Sequence, residues 1–168
     1  MGGEVLFIDF EACTGCRICE MVCSLHHEGV VNPAKSRIRV VGWEEEGVYV
    51  PLSCQQCDEP FCEKVCPVKA TYRDEKTRAM LVNHDLCIGC RSCIMACPFE
   101  GPALDPEAKK ILKCDLCGGE PRCVAFCPTS ALKYLQPTSA MLEKKNSAFL
   151  RRVRMLRVKL AKPLLVKG

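Results

Sequence analysis

Little in this chain suits a self-sufficient hydrophobic core. Of its 168 residues only 6% are aromatic, with a single tryptophan. The apolar fraction of 48% includes sixteen cysteines; without them it falls to about 38%, thin for one domain or for two small ones sharing a core. No run approaches the ~18 apolar residues of a membrane-spanning helix. The opening stretch, MGGEVLFIDFEAC, has no basic region, no apolar run of signal-peptide length and no twin arginine, and Glu4 and Asp9 interrupt it. A reducing, cytoplasmic setting is therefore expected, unless a partner carrying an export signal takes the protein out. Glycine-rich phosphate loops, dinucleotide fingerprints and nucleophile–base arrangements are also missing, so no catalytic residue is assigned.

What is abundant is cysteine. Many cysteines in a small chain mean either a secreted disulfide framework or bound metal, and without an export signal metal is the better reading. Laid against itself, the chain repeats. CTGCRICEMVCS (13–24) matches CIGCRSCIMACP (87–98), sharing four cysteines, Gly15 with Gly89, Arg17 with Arg91 and Met21 with Met95. LSCQQCDEPFCEKVCPVKATY (52–72) matches LKCDLCGGEPRCVAFCPTSALKY (112–134). All sixteen cysteines fall in these four motifs.

Each motif supplies a triad and then a fourth cysteine four residues on: Cys13/Cys16/Cys19 with Cys23, Cys54/Cys57/Cys62 with Cys66, Cys87/Cys90/Cys93 with Cys97, and Cys114/Cys117/Cys123 with Cys127. Three of the four motifs end in Cys-Pro; Ser24 departs from that rule. This is the bacterial ferredoxin run, in which three thiolates bind one [4Fe–4S] cluster and the fourth cysteine ligates another. Glycines at 15 and 89 would let backbone N–H groups approach the cluster sulfurs. Four zinc sites are the competing reading, but zinc sites usually join two CxxC knuckles through a longer spacer. Haem of the c type is excluded, because no CxxC precedes a histidine.

The segment between Cys66 and Cys87 has a Cys-Pro exit, a charged turn around 74–77 and an apolar strand at 79–82, the connection of a two-cluster ferredoxin. Motifs two and three should therefore pair, leaving motifs one and four to pair around them. The expected clusters are Cys13/Cys16/Cys19 with Cys127, Cys114/Cys117/Cys123 with Cys23, Cys54/Cys57/Cys62 with Cys97, and Cys87/Cys90/Cys93 with Cys66. The expected fold is α+β: two interleaved 2[4Fe–4S] ferredoxin lobes, the outer one from 1–24 and 98–137, the inserted one from 52–97. Between them, 25–51 should hold a β-hairpin with strands near 37–41 and 48–52 around WEEEG, covering one lobe. A strand is also expected at 5–10.

This interleaving resembles the four-cluster iron–sulfur subunits of the dimethyl sulfoxide reductase and formate dehydrogenase type, over about residues 5–135. The five residues between Cys117 and Cys123, and the lack of a long inserted loop, set it apart from membrane-anchored members. CRICEMVCSLHHEGVVNPAKSRIRVV (16–41) is more similar to small subunits beside tungsten enzymes of the aldehyde:ferredoxin oxidoreductase type, including benzoyl-CoA reductase. The resemblance implies the cross-ligation above and a non-catalytic electron-transfer subunit with four [4Fe–4S] clusters. It would serve a larger tungsten or molybdenum pterin subunit and ferredoxin or another carrier. A free-standing polyferredoxin, or the electron-transfer subunit of a nickel hydrogenase or carbon monoxide dehydrogenase, is the alternative.

Charge is uneven. Residues 138–168 hold nine Lys/Arg against Glu143 alone, whereas 1–137 are net acidic. The tail reads as a basic amphipathic helix ending before Pro163, with Leu142, Phe149, Val153, Leu156 and Leu160 in one stripe. A partner subunit is its expected surface, ahead of the chain's own acidic body or an anionic membrane. Four clusters at about −2 each would turn the formal +4 into about −4, so no nucleic-acid role is inferred. His26 and His27 are read as structural or surface residues, and Trp43 as a hairpin-tip aromatic over its own lobe.

Overall fold

Prolines set the lengths of the helices. The computed structural model describes residues 4–105 and 107–136; the basic tail lies outside them. Helix α1 runs Ile18–Glu28, whereas α2 (Phe61–Lys64), α3 (Ser92–Met95) and α4 (Arg122–Ala125) have four residues each. Each short helix stops one residue before a Cys-Pro pair, because the proline ring disfavours the helical conformation of the cysteine before it. In the first motif Ser24 replaces proline, and α1 runs on through Cys23 to a left-handed cap at Gly29. Ser24 is fully buried; its hydroxyl donates back to the Glu20 and Met21 carbonyls and accepts the Asn32 N–H at 3.0 Å. The side chain thus ties the following loop to the helix that proline would have ended.

Among the described residues eight strands form four antiparallel pairs. Strands β1 (Val5–Ile8) and β8 (Leu132–Leu135) join the two ends of the described body, with Val5 opposite Leu135 and Ile8 opposite Leu132. The hairpin of β2 (Ile38–Trp43) and β3 (Val48–Ser53) falls where WEEEG places it, each strand one residue longer than expected. A 3₁₀ turn at Glu44–Glu46 and left-handed Gly47 close it. Strands β4 (Thr71–Arg73) and β5 (Met80–Val82) pair locally, as do β6 (Ala103–Leu104) and β7 (Ile111–Leu112). Helix α1 packs against α4 and β2, and α2 packs against α3.

The core is as cysteine-dependent as the composition suggests. Its buried cluster is Leu6, Cys19, Cys23, Ile38, Val40, Ala79, Leu116, Cys123 and Leu132. Glu20 is buried beside it and accepts the Val40 N–H at 2.5 Å, while Arg17 lies 3.6 Å from its other oxygen. That carboxylate fastens α1 to β2, supplying a hydrogen bond where a buried strand N–H would otherwise cost about 1–3 kcal/mol. Trp43 ends β2, half-buried opposite Val48. Among the described residues no helix is long and apolar enough to cross a membrane.

Candidate metal centres

The four triads share one backbone device. The residue before the second cysteine is left-handed in each: Gly15 (φ 73°), Gln56 (φ 51°), Gly89 (φ 68°) and Leu116 (φ 58°). This curls the loop so that three thiols converge. At Gln56 and Leu116 the same conformation costs on the order of 1–2 kcal/mol, tolerated where the surroundings fix the loop. At Gly15 a second constraint applies, because ring carbons of Tyr49 lie 2.4–2.6 Å from where a Cβ would stand. The hairpin therefore rests on the first triad through Tyr49.

Cys16, expected to bind cluster iron with Cys13 and Cys19, differs from the rest of its triad: it is exposed, whereas Cys13 is half-buried and Cys19 buried. The physical reason is local. Cys19 sits on the inner face of α1, whereas Cys16 stands in the loop before the helix, where Thr14 and Arg17 on either side of the Gly15–Cys16 turn are also exposed. Its charge still reaches both Cys13 and Cys19, so it stays with its triad, on the solvent side. Cys90, its counterpart in the repeat, is exposed in the same way yet lines a cysteine cavity.

The fourth cysteines are held by a different turn. After each Cys-Pro pair the third residue beyond the cysteine is left-handed (Lys69, Glu100, Ser130), and its N–H donates to the cysteine carbonyl. The next amide then points at sulfur: Ala70 N to Cys66 Sγ at 3.2 Å and Gly101 N to Cys97 Sγ at 3.4 Å. Cys127 receives the equivalent bond from Ala131. In the first motif, where the helix continues, Arg37 N takes this part for Cys23 at 3.3 Å. Burial works to raise the Cys66 and Cys127 thiols, but the backbone donors outweigh it and both are held below the usual cysteine value. N–H donors aimed at sulfur favour the thiolate, the form that binds metal.

The sulfurs gather in groups that cross the motifs. One partly open cavity, about 330 Å³ including its mouth, is lined in part by Cys66, Cys87, Cys90 and Cys93; another, about 350 Å³, by Cys54, Cys57, Cys62 and Cys97. Cys13 lies close enough to feel the charge of Cys127, and Cys114, Cys117 and Cys123 each feel that of Cys23. Neighbouring groups also approach one another: Cys123 is near Cys19, Cys114 near Cys54, and Cys93 near Cys62. These approaches link the first triad to the fourth, the fourth to the second and the second to the third.

Their chemistry fits bound iron–sulfur clusters. Burial pushes the Cys19 and Cys114 thiols up to about 12, and Cys123 higher still. Such groups stay protonated at neutral pH unless a positive metal centre holds them as thiolates. The Lys113 ammonium, itself buried, lies 3.2 Å from Cys62 Sγ, a placement that calls for an anionic partner.

Gly101 shows how tightly one group is built. A Cβ there would stand 2.9 Å from the Cys54 Cα and 3.4 Å from its backbone N. Gly101→Ala is therefore expected to push the Cys97 turn away from Cys54, with about 1–3 kcal/mol of overpacking strain. Thermal melts and the bound iron content check it. A native-like midpoint with iron content unchanged would contradict it.

Several neighbours were invisible to spacing. His27, read as structural or surface, places Nε2 3.8 Å from Cys117 Sγ and 3.4 Å from Asp115 Oδ1. Burial lowers its pKa, opposed chiefly by the Asp115 carboxylate. His26, His27 and Cys117 bring three ligand atoms within 4.8 Å, but Cys117 already belongs to the fourth triad. Lys113 and Gly101 also act across long stretches of sequence; what could have flagged Lys113 is that a charged residue replaces Ser53 at the matching place in the repeat.

Triad loops, Cys-Pro turns and paired short helices define a ferredoxin-like iron–sulfur protein. It belongs to the 4Fe-4S dicluster domain family, whose sequence model matches residues 45–136; a 4Fe-4S binding domain model matches 10–29. The polyferredoxin-like subunit of an aliphatic sulfonate oxidoreductase from Pyrococcus furiosus is 44% identical over 122 residues, covering 73% of this chain and 70% of that one. YnfG of Escherichia coli, named for a probable anaerobic dimethyl sulfoxide reductase, is 38% identical over 148 residues, covering 76% and 71%. Among solved structures, one polypeptide of the active site complex BamBC of benzoyl coenzyme A reductase aligns at 27% identity and TM-score 0.47, covering 89% of this chain and 91% of that one. The protein is an iron–sulfur electron-transfer subunit of the oxidoreductase type.

Proposed function

We propose that the protein is a four-cluster conduit for single electrons, serving a larger catalytic subunit and a separate redox carrier. The observation that carries the reading is the pair of cavities, each lined by a triad from one motif and the fourth cysteine of another. On this reading the ligands are Cys13/Cys16/Cys19/Cys127, Cys114/Cys117/Cys123/Cys23, Cys54/Cys57/Cys62/Cys97 and Cys87/Cys90/Cys93/Cys66, in that order along a row. Exposed Cys16 and exposed Cys90 would then put the clusters at the two ends of the row near solvent, where an electron can enter or leave. The pairing of β1 with β8 and of α1 with α4 supports an outer lobe built from both ends of the sequence. That of β4 with β5 and of α2 with α3 supports an inserted lobe at 52–97.

Bound [4Fe–4S] clusters supply reversible one-electron reduction. The protein's own part is to hold the thiolates, to direct backbone N–H groups at sulfur, and to bury most of the ligands so that little rearranges when charge changes. Substrate chemistry falls to a partner. The relatives are named for oxidoreductase and reductase complexes, which supports the larger tungsten or molybdenum pterin subunit that the sequence resemblance implies. Stepwise reduction of the anaerobic native protein is expected to take up about four electrons per chain, one for each cluster. Clusters that never reduce at accessible potentials would instead be structural staples, and the conduit reading would fail.

A further inference from the structure

The duplication that built this chain makes its two halves alike in sulfur but not in charge. Leu52-Ser53-Cys54 and Leu112-Lys113-Cys114 occupy the same place in the repeat. Both middle residues are buried, Ser53 at 1% and Lys113 at 7% exposure. Each reaches across to the other motif. The Ser53 hydroxyl donates to the Arg37 carbonyl at 3.5 Å and lies near enough to the Cys114 sulfur to favour its thiolate, while Lys113 Nζ stands 3.2 Å from Cys62 Sγ, lines the Cys54/Cys57/Cys62/Cys97 cavity and also faces Cys54 and Cys93. Matching positions thus carry a neutral donor toward one cluster site and a full positive charge toward the next, at the junction of the two lobes.

We propose that Lys113 sets the reduction potential of the Cys54/Cys57/Cys62/Cys97 cluster above that of its neighbour at Cys114/Cys117/Cys123/Cys23. An added electron makes either site more negative, from about −2 to about −3. A fixed ammonium favours the more negative form, and it does so strongly where water is excluded and screening is weak. A serine hydroxyl donates a hydrogen bond but brings no net charge. The Ser53/Lys113 difference is therefore the device by which two duplicated sites became electrically unequal, and it makes the motif-two site the resting place for an electron crossing the junction. This inference rests on the cluster assignment proposed above.

The test is a potentiometric titration of the full holoprotein, followed by electron paramagnetic resonance, with iron counted for every variant. Lys113→Met removes the charge and keeps the length. It is expected to lower one midpoint by about 59 mV or more, a tenfold change in the reduced-to-oxidised ratio at fixed potential. Lys113→Arg should keep that midpoint within a small fraction of this shift, and Ser53→Lys should raise a different midpoint by a similar amount. Wild-type iron content in Lys113→Met with no midpoint moved, or with all moved together, overturns the proposal. Should Lys113→Met lose iron, Ser53→Lys decides, and unmoved midpoints there overturn it equally. Wild-type protein holding far fewer than about sixteen irons per chain would instead bring down the cluster assignment beneath it.

Discussion

Removing the iron is expected to unfold the protein, not merely to silence it. Three of the nine residues in its buried cluster are cysteines. Among the described residues three of the four α-helices have only four residues, far below the ~12–15 at which an isolated helix becomes even marginal in water. Each sheet among the described residues has just two strands, a size that is marginally stable at best alone. Bound metal contributes folding free energy directly, because no preformed site exists in the unfolded chain. Anaerobic chelation or oxidative loss of the clusters should therefore abolish the cooperative thermal transition and collapse the amide chemical-shift dispersion. A cluster-free protein that still melts cooperatively, near the native midpoint, would show that side-chain packing suffices.

Cys97→Ser should damage a cluster to which its own motif contributes nothing else. Cys97 follows Cys87, Cys90 and Cys93 in sequence, yet it lines the cavity of Cys54, Cys57 and Cys62. The turn that carries it ends at Gly101, against the Cys54 backbone. Serine keeps the size but replaces a thiolate with a poor iron ligand. The expected result is loss or conversion of one cluster, the motif-two one, with iron falling by at most about a quarter. The Cys87/Cys90/Cys93/Cys66 signal should persist. Damage confined to that last signal would refute the crossed pairing and with it the order of the row.

What spacing could reveal, and what it could not, divides along the physics. Triad loops, Cys-Pro exits and the WEEEG hairpin follow from local backbone preferences, so their place was legible in the sequence. The expected pairing of motifs two and three rests on one short connection with its own strand signals, and the cavity that Cys97 shares with Cys54, Cys57 and Cys62 supports it. Spacing put Cys16 on the same footing as Cys13 and Cys19; that it lies exposed while Cys19 is buried depends on which side of the loop the rest of the protein covers. Ser24 announced a departure without its consequence: only tertiary packing shows that α1 runs on, and that Arg37 then donates to Cys23. Lys113 on Cys62, His27 on Cys117 and Gly101 against Cys54 join positions 51, 90 and 47 residues apart. No local propensity encodes such contacts. The basic tail falls outside the described residues, and its docking on a partner stays a proposal.

Anaerobic isolation of the native complex, with metal analysis for Fe, W, Mo, Ni and Zn, tests the central claim most directly. About sixteen irons per chain, with tungsten or molybdenum on a co-purifying larger subunit, is the result predicted here. Zinc in place of iron would contradict the clusters themselves, and full iron on a lone chain without a catalytic partner would make the protein a free polyferredoxin.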